Sequence, residues 1–211
     1  LTFSITGGSD ISASLDGSDV SFSAPANYNG NETFTATVTD GLLSASQTFT
    51  VTVNAVNDAP VANAASGETA EDQSVVVSLS GSDIDGDALT FSLDSDATNG
   101  TVTLDGSLAT YTPDINYNGD DSFTFSVSDG ALSASATVTL TVTAVNDAPT
   151  LATVSNVSFD EDGSGSTSLS ALDVDGDTLT FSITGGSDIS ASLDGSDVSF
   201  SAPANYNGNE T

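Results

Sequence analysis

The chain has no lysine, arginine, histidine or cysteine, whereas 30 of its 211 residues are acidic, giving a formal net charge of −30. Nucleic acids and anionic membrane surfaces are bound through basic side chains, so both classes of partner are excluded. The absence of cysteine excludes a disulfide framework and thiol chemistry, but it does not exclude secretion. No apolar run approaches the roughly 18 residues that a membrane-spanning helix needs, so we expect no membrane insertion.

The missing cations also restrict what the acidic side chains can do. No carboxylate can form a salt bridge with a basic side chain, because the sequence contains none. Two carboxylates about 4 Å apart repel by roughly 1 kcal/mol in water and by about 4 kcal/mol at an effective dielectric constant of 20. A packed acidic cluster must therefore become protonated, spread into solvent or bind a metal ion.

The same absences limit catalysis. Nucleophilic triads, Schiff bases and phosphate clamps all need histidine, cysteine, lysine or arginine. A glycosidase-type carboxylate pair remains available, but it needs one protonated carboxyl group and aromatic walls for the sugar, and the chain has no tryptophan. We therefore expect no enzyme. The alternative is a carbohydrate-binding module of a secreted multidomain enzyme, which an exposed aromatic cleft would distinguish.

Among the features that are present, internal repetition is the strongest. The hexapeptide Ala55–Pro60 recurs unchanged as Ala144–Pro149, 89 residues later, and a Tyr-Asn-Gly motif has the same period. The stretch Leu1–Thr33 recurs letter for letter at Leu179–Thr211. Such a period indicates tandem domains. We expect a C-terminal domain part at 1–58, a complete domain at 59–147 and an N-terminal domain part at 148–211.

Alternating apolar and polar residues predict strands in the complete domain. With 37% hydrophobic residues and ten phenylalanines, the chain is globular despite its charge. The predicted strands are Ser74–Ser80, Ala88–Leu93, Gly100–Leu104, Leu108–Thr112, Ser122–Ser128 and Ser133–Thr143. No stretch keeps a helical period, so we expect essentially no helix. About seven short strands in some 90 residues is typical of an immunoglobulin-like sandwich, in which Tyr117 would form a tyrosine corner.

An acidic loop follows each copy of the hexapeptide. Asp83, Asp85 and Asp87 form the first loop, and Asp173, Asp175 and Asp177 form the second. The three carboxylates converge only if the backbone curls, and hard oxygen ligands in this number suit calcium. The glycine is fourth in the loop and no glutamate is twelfth, so this is not an EF-hand. A solvated turn is the alternative, but recurrence beside an identical hexapeptide favours metal.

Taken in order, these motifs resemble a known family. The Val-Asn-Asp-Ala-Pro joint, a Glu-Asp pair (Glu71-Asp72), Asp-x-Asp-Gly-Asp, Leu-Thr-Phe-Ser, Tyr-Asn-Gly and Val-Ser-Asp-Gly are similar to bacterial cadherin-like repeats of giant secreted adhesins. The resemblance covers the entire chain. It implies an all-β fold of tandem immunoglobulin-like (cadherin-like) Greek-key sandwiches, with calcium stiffening each joint. It also implies an extracellular or cell-surface location and a mechanical role as a stalk or filament.

The resemblance also implies which residues hold the calcium. The implied ligands at the first joint are Glu32, Asn57, Asp58, Asp83, Asp85 and Asp129. Those at the second joint are Glu71, Asp121, Asn146, Asp147, Asp173 and Asp175. Asp87 and Asp177 have no clear counterpart and are expected to reinforce the loop. Ala55 and Ala144 replace an acidic or amide residue of animal cadherins, which implies one or two ions per joint.

A repetitive array also predicts its partners and its continuation. The expected partners are neighbouring copies of the same array and cell-surface or matrix polysaccharide. We expect the sequence to continue after Thr211 with Phe-Thr-Ala-Thr-Val-Thr-Asp-Gly, as it does after Thr33. The two identical stretches should adopt the same strands, with the missing strands of each supplied by adjacent copies. Four Asn-x-Ser/Thr sites (Asn31, Asn99, Asn156 and Asn209) leave glycosylation open.

Overall fold

A computed structural model describes all residues, Leu1–Thr211, and every regular element in it is a β-strand. The prediction of an all-β chain without helices is confirmed. With no helix at all, the structure has no helical segment that could cross a bilayer.

The 19 strands are distributed over three consecutive regions. The first region contains β1 (Thr2–Gly7), β2 (Ser12–Asp16), β3 (Asp19–Ser23), β4 (Gly30–Thr39) and β5 (Ser44–Val53). The middle region contains β6 (Val61–Asn63), β7 (Ala65–Ala70), β8 (Val75–Ser78), β9 (Ser80–Ser82), β10 (Thr90–Ser95), β11 (Gly100–Asp105), β12 (Leu108–Pro113), β13 (Gly119–Ser128) and β14 (Ser133–Thr143). The third contains β15 (Thr150–Leu151), β16 (Ser164–Ser168), β17 (Ala171–Leu172), β18 (Ser190–Asp194) and β19 (Asp197–Ser201).

The middle region is a complete immunoglobulin-like sandwich. One sheet has the strand order β10-β13-β14-β7, the facing sheet has β11-β12-β8, and β6 pairs with β9. All pairs are antiparallel except β7, which runs parallel to β14. The six predicted strands are all found. The sequence did not predict β6, β7 and β9, because each is short or lacks apolar alternation. In β7 the residue that faces inward is Gly67 and not an apolar side chain, since a Cβ there would lie 2.7 Å from Val77 Cγ2.

The core of this sandwich comes from alternate residues of the strands. Eleven buried residues form one cluster, in which Phe123, Phe125 and Val127 of β13 face inward beside Val138, Leu140 and Val142 of β14. The intervening serines and threonines face solvent, as the period of two requires. The fully buried Tyr111 donates its hydroxyl to Asp121 Oδ2 at 3.0 Å, so its polar tip is satisfied. Tyr117, at the expected corner, donates its hydroxyl to the carbonyl of Asp120 at 2.6 Å.

The two flanking regions contain complementary subsets of the same sandwich. The first region has the sheet β1-β4-β5 and the hairpin β2–β3, and the third has the sheet β16-β19-β18 and the pair β15–β17. The expectation that the two identical stretches adopt the same strands is therefore only half right. The hairpin forms in both, but Thr180–Gly185 is not a strand, although the identical Thr2–Gly7 is. Thr2–Gly7 pairs with Phe34–Thr39, and the third region has no such partner.

Candidate metal-binding joints

The first joint brings its hexapeptide against two loops of the middle domain. The Asn57 side chain donates an Nδ2 hydrogen to Asp129 Oδ2 at 2.9 Å, and the Asp58 amide donates to Asp85 Oδ2 at 2.8 Å. Asp129 follows β13 and Asp85 lies in the acidic loop after β9. Residues separated by up to 72 positions in sequence therefore meet at one end of the sandwich.

The acidic loop is curled rather than extended. Asp83 Oδ1 accepts the amide hydrogens of Asp85 at 2.9 Å and Asp87 at 3.3 Å, and Gly86 has φ of +82°. The positive φ suits glycine, which has no Cβ, and the short aspartate side chain turns the backbone on itself. The second loop repeats the arrangement, with Asp173 Oδ1 accepting the Asp177 amide at 3.1 Å.

The second joint repeats the hexapeptide-to-loop contact. The Asp147 amide donates to Asp175 Oδ2 at 2.7 Å, which is the counterpart of the bond from Asp58 to Asp85. Asn146 Nδ2 donates to the carbonyl of Asp147 at 3.0 Å. The two joints thus share their backbone anchoring of the acidic loop.

Glu71 extends the second joint into the base of the middle domain. Its side chain is only 3% exposed, and Oε1 accepts the amide hydrogen of Val145 within the joint. The neighbouring Asp72, in a turn with φ of +59°, accepts the Asn116 amide at 3.0 Å. The buried glutamate therefore lies between the domain and the start of the next one.

Three carboxylate oxygens at the joints are buried without any hydrogen-bond partner: Glu71 Oε2, Asp83 Oδ2 and Asp147 Oδ2. Burial, followed by the charges of Asp175, Asp72, Glu71 and Asp173, raises the pKa of Asp147 above its usual value. Like charges are therefore crowded at the second joint with no cation side chain to offset them. An unpaired buried carboxylate oxygen is costly, and a bound cation is the partner that would remove the cost.

Hydrogen bonds to both of its carboxylate oxygens hold the Asp129 side chain at the first joint. Its Oδ1 accepts the amide hydrogens of Leu132 at 2.7 Å and Ala131 at 2.6 Å, while Oδ2 accepts from Asn57. The Leu132 amide, the Asn57 side chain and the Ala131 amide lower the pKa of Asp129, so the carboxylate is ionised at neutral pH. Asp40, its counterpart 89 residues earlier, is held in the same way by Leu43 and Leu42.

Glu32 and Asp121, expected at the joints, are engaged inside their own domains. Glu32 accepts hydrogen bonds from the Ser9 hydroxyl and from the backbone amides of Ser9, Asp10 and Ile11. These hydrogen bonds, most strongly that of the Ser9 hydroxyl, lower the pKa of Glu32 to about 2. Burial raises the pKa of Asp121, but hydrogen bonds from Asn99, Ser122, Thr98 and Tyr111 outweigh it and leave the pKa lowered. Both carboxylates thus clamp a loop, and neither hydrogen-bonds to a joint residue.

The remaining expected residues lie at the joints without converging. The backbone amides of Asp87 and Asp177 donate hydrogen bonds to Asp83 and Asp173 within their loops, whereas their own carboxylates accept no hydrogen bond. No three acidic side chains meet as a group that could hold a metal ion. The structure therefore places the sequence-predicted oxygens around each joint but does not assemble a coordination sphere. The charge of Asp72, which sequence reasoning left out of the ligand sets, helps to raise the pKa of Asp147. The recurrence of Asp72 as Asp162 in a second Glu-Asp pair was the available signal.

Comparison with known proteins agrees with this fold. Residues 57–143 match the model of the family described as bacterial Ig domain. No curated protein matches the chain. Among solved structures, cadherin domains 1–4 of protocadherin gamma B7 are 13% identical with a TM-score of 0.54, covering 97% of this chain and 58% of that one. Cadherin domains 1–3 of mouse protocadherin-24 are 15% identical with a TM-score of 0.52, covering 97% and 77%.

An endo-fucoidan hydrolase from glycoside hydrolase family 107 also matches, at 18% identity. The alignment covers 95% of this chain but only 34% of the hydrolase, so the chain spans about a third of that structure's length. The TM-score of 0.35 is too low to support an argument about function. At identities below a fifth, the similarity to the protocadherins shows the fold alone.

Proposed function

We propose that the chain is a calcium-stiffened segment of an extracellular stalk or filament. The proposal is supported by the match of residues 57–143 to the bacterial Ig domain model and by the similarity of the fold to cadherin domains. Its work is mechanical: it holds an adhesive surface away from the cell. The proposed partners are neighbouring copies of the same array and cell-surface or matrix polysaccharide. The proposal includes no catalytic step.

The observation that supports calcium is the set of buried, unpartnered carboxylate oxygens on Glu71, Asp83 and Asp147. Since the chain has no basic side chain, the cation must come from solution. Carboxylate, amide and backbone carbonyl oxygens are the ligands that calcium prefers, and six to eight of them are usual. The donors present at the joints therefore fit this ion.

The proposed ligands come from both domains that meet at each joint. At the first joint they are Asn57, Asp58, Asp83, Asp85 and Asp129. At the second they are Glu71, Asn146, Asp147, Asp173 and Asp175. Glu32 and Asp121 are left out of the proposed sets because loop amides already occupy their carboxylates. An ion at either joint would neutralise repelling carboxylates and tie a joint to the next domain.

Calcium would stiffen the joints without being needed to fold the middle domain. The core of that domain contains eleven buried residues, and none of them is a proposed ligand. An extracellular setting supplies calcium in the millimolar range that weak modules need, and we expect Kd of about 10⁻⁴–10⁻³ M. The joints would thus be rigid outside the cell.

Small-angle X-ray scattering with and without a calcium chelator tests this proposal. Chelation should increase flexibility and change the maximum dimension, because repelling carboxylates are no longer bridged. Circular dichroism in the same buffers should show unchanged strand content. Identical scattering with and without chelator would contradict calcium at the joints.

A matched pair of variants tests whether the joints act separately. Asp85→Asn removes a ligand charge from the first joint, and Asp175→Asn removes its counterpart from the second. Each substitution preserves volume and should weaken calcium binding at its own joint only, because the sites are too far apart to couple strongly. Calorimetric titration with calcium measures both sites. Loss of both from one substitution would exclude independent joints.

A further inference from the structure

The two joints lie at opposite ends of the middle domain, so tension along the chain must pass through its sandwich. The first joint meets the loops that follow β9 and β13, whereas the second joint follows β14 and contacts Glu71, which follows β7. β7 runs parallel to β14 over six residue pairs, from Ala65 opposite Val138 to Ala70 opposite Thr143. Tension therefore pulls β7 towards the first joint and β14 towards the second, in opposite directions along their length.

Such a lengthwise pull strains all the bonds between the two strands at once. The hydrogen bonds of a sheet run across the strands, so sliding one strand past its neighbour loads the whole ladder together. Pulling both strands from the same end would instead break the pairs one after another. β6, which also follows the first joint, pairs with β9 over only three residue pairs and offers less resistance. The β7–β14 pair is therefore the main element that carries the tension.

β7 is attached to the domain mainly through its backbone. None of its residues belongs to the cluster of eleven buried residues that forms the core. Gly67 lets the strand lie close to that core, because a Cβ there would be 2.7 Å from Val77 Cγ2 and 3.2 Å from Leu140 Cδ2. Since few apolar side chains hold β7 in place, the hydrogen bonds of the strand and of its ends decide how firmly it stays on β14.

Glu71 ties the end of β7 to the end of β14. Its amide donates to the carbonyl of Thr143 at 2.9 Å, and its Oε1 accepts the amide hydrogen of Val145. Thr143 in turn donates its hydroxyl to the carbonyl of Thr69 at 3.3 Å. The Glu71 side chain is buried, which strengthens a hydrogen bond to its carboxylate. Because tension draws Glu71 and Val145 apart, the bond between them lies in the path of the force.

We propose that Glu71 is a mechanical latch, which holds the end of β7 on β14 and thereby sets how long the middle domain withstands tension. The latch uses Oε1, whereas the oxygen that supports the calcium proposal is the unpartnered Oε2. The inference deepens the proposed mechanical function, on which its purpose rests, by naming where the force is carried. The latch operates without calcium, so it is tested separately from calcium binding.

Constant-force measurements on single molecules in chelator test where the tension is carried. Because the chain has no cysteine, two introduced cysteines set the pulling points. Ala59→Cys with Ala148→Cys, both at exposed positions in the joints, pulls β7 and β14 in opposite directions. Unfolding between them should release about 300 Å, since roughly 90 residues extend by at most ~3.6 Å each.

The comparison geometry applies the force at one end of the domain. Ala59→Cys is combined with Ser133→Cys, an exposed position at the start of β14. Under the same force, the domain should last longer when pulled between Ala59 and Ala148 than when pulled between Ala59 and Ser133. Equal lifetimes in the two geometries would overturn the assignment of the tension to the β7–β14 pair.

Variants of Glu71 test the latch in the same buffer. Glu71→Ala removes the acceptor and should shorten the lifetime between Ala59 and Ala148 at least about tenfold, as expected for a lost hydrogen bond to a carboxylate. Glu71→Gln keeps an acceptor oxygen and should restore most of the lifetime. Glu68→Ala, at an exposed position in β7, is the matched control and should change it little.

The pulling direction separates a latch from a general loss of stability. When both points lie at the first joint, the pairs nearest that joint break first, so Glu71→Ala should hardly change the lifetime. Equal shortening in both geometries, or no shortening between Ala59 and Ala148, would overturn the latch. If Glu71→Ala does not fold, Val145→Pro removes the donor from the joint side and should shorten the lifetime in the same geometry. Chelator is present throughout, so failure of the calcium proposal would leave these results unchanged.

Discussion

Leu1–Thr33 and Leu179–Thr211 have the same sequence but not the same structure. Both contain a hairpin, Ser12–Ser23 in the first and Ser190–Ser201 in the second, and in both a glutamate clamps a loop through backbone amides. Only the first contains a strand before the hairpin, Thr2–Gly7. The hairpin and the clamp depend on contacts within the stretch, whereas the strand depends on Phe34–Thr39 outside it. The comparison therefore separates local from non-local causes at constant sequence.

Giving Thr180–Gly185 a strand to pair with should make it a strand like Thr2–Gly7, and of all the changes considered we expect this one to alter the structure most. A chain extended after Thr211 by the sequence of residues 34–58 should pair Thr180–Gly185 with the new strand. Their amide hydrogen exchange should slow by about 10³-fold or more, from that of an unpaired segment towards that of the domain. Mass spectrometry of the exchanging chain, at a concentration where it is monomeric, measures this. An extension with the same residues shuffled should leave exchange fast.

Weakening β4, the strand that pairs with Thr2–Gly7, should make Leu1–Thr33 resemble Leu179–Thr211, which has no strand before its hairpin. Phe34→Ala empties a fully buried site beside Phe22 and Phe49 and should destabilise the first region by about 3–5 kcal/mol. The amides of Thr2–Gly7 should lose protection while those of the hairpin Ser12–Ser23 change less. Thr35→Ala, on the solvent face of β4, is the control. Equal loss along the whole stretch would mean that the hairpin is not local.

The glutamate clamps should be the same in the two stretches. The contacts of Ser9, Asp10 and Ile11 lower the pKa of Glu32 to about 2, and those of Ile189, Asp188 and Ser187 lower the pKa of Glu210 to about 2. Because the pKa is lower in the folded state, the ionised glutamate stabilises the loop fully at pH values above its unfolded pKa of 4.5. This stabilisation is lost as the pH falls from 4.5 towards 2.

Carboxyl-carbon NMR titration measures this small effect. Both glutamates should titrate near 2, and Glu32→Gln and Glu210→Gln should each remove one of the two low-pH transitions. A normal value for Glu210 beside a low value for Glu32 would show that the clamp needs the continuing strand.

The sequence by itself determined the repeat, the strand content and the positions of the core. Apolar residues alternate in β13 and β14 at the period of a strand, and the turn residues between them are local signals, so their strands could be predicted without a structure. The acidic loops were also predictable, since Asp-x-Asp-Gly-Asp curls through contacts with its own backbone. These features depend on neighbours in the sequence.

The tertiary structure alone decided which carboxylates face a joint. Glu32 and Asp121 belong to the same motif position and were expected as ligands, but amides 21 to 23 residues away hold them inside their domains. Glu71 was expected at the second joint, but only the structure shows that its Oε1 accepts the amide hydrogen of Val145, 74 residues away, and that its Oε2 is buried without a partner. Non-local contacts also decided the fate of Thr180–Gly185. The physical reason is that a strand and a buried charge each need a partner, and sequence does not specify which distant partner is present.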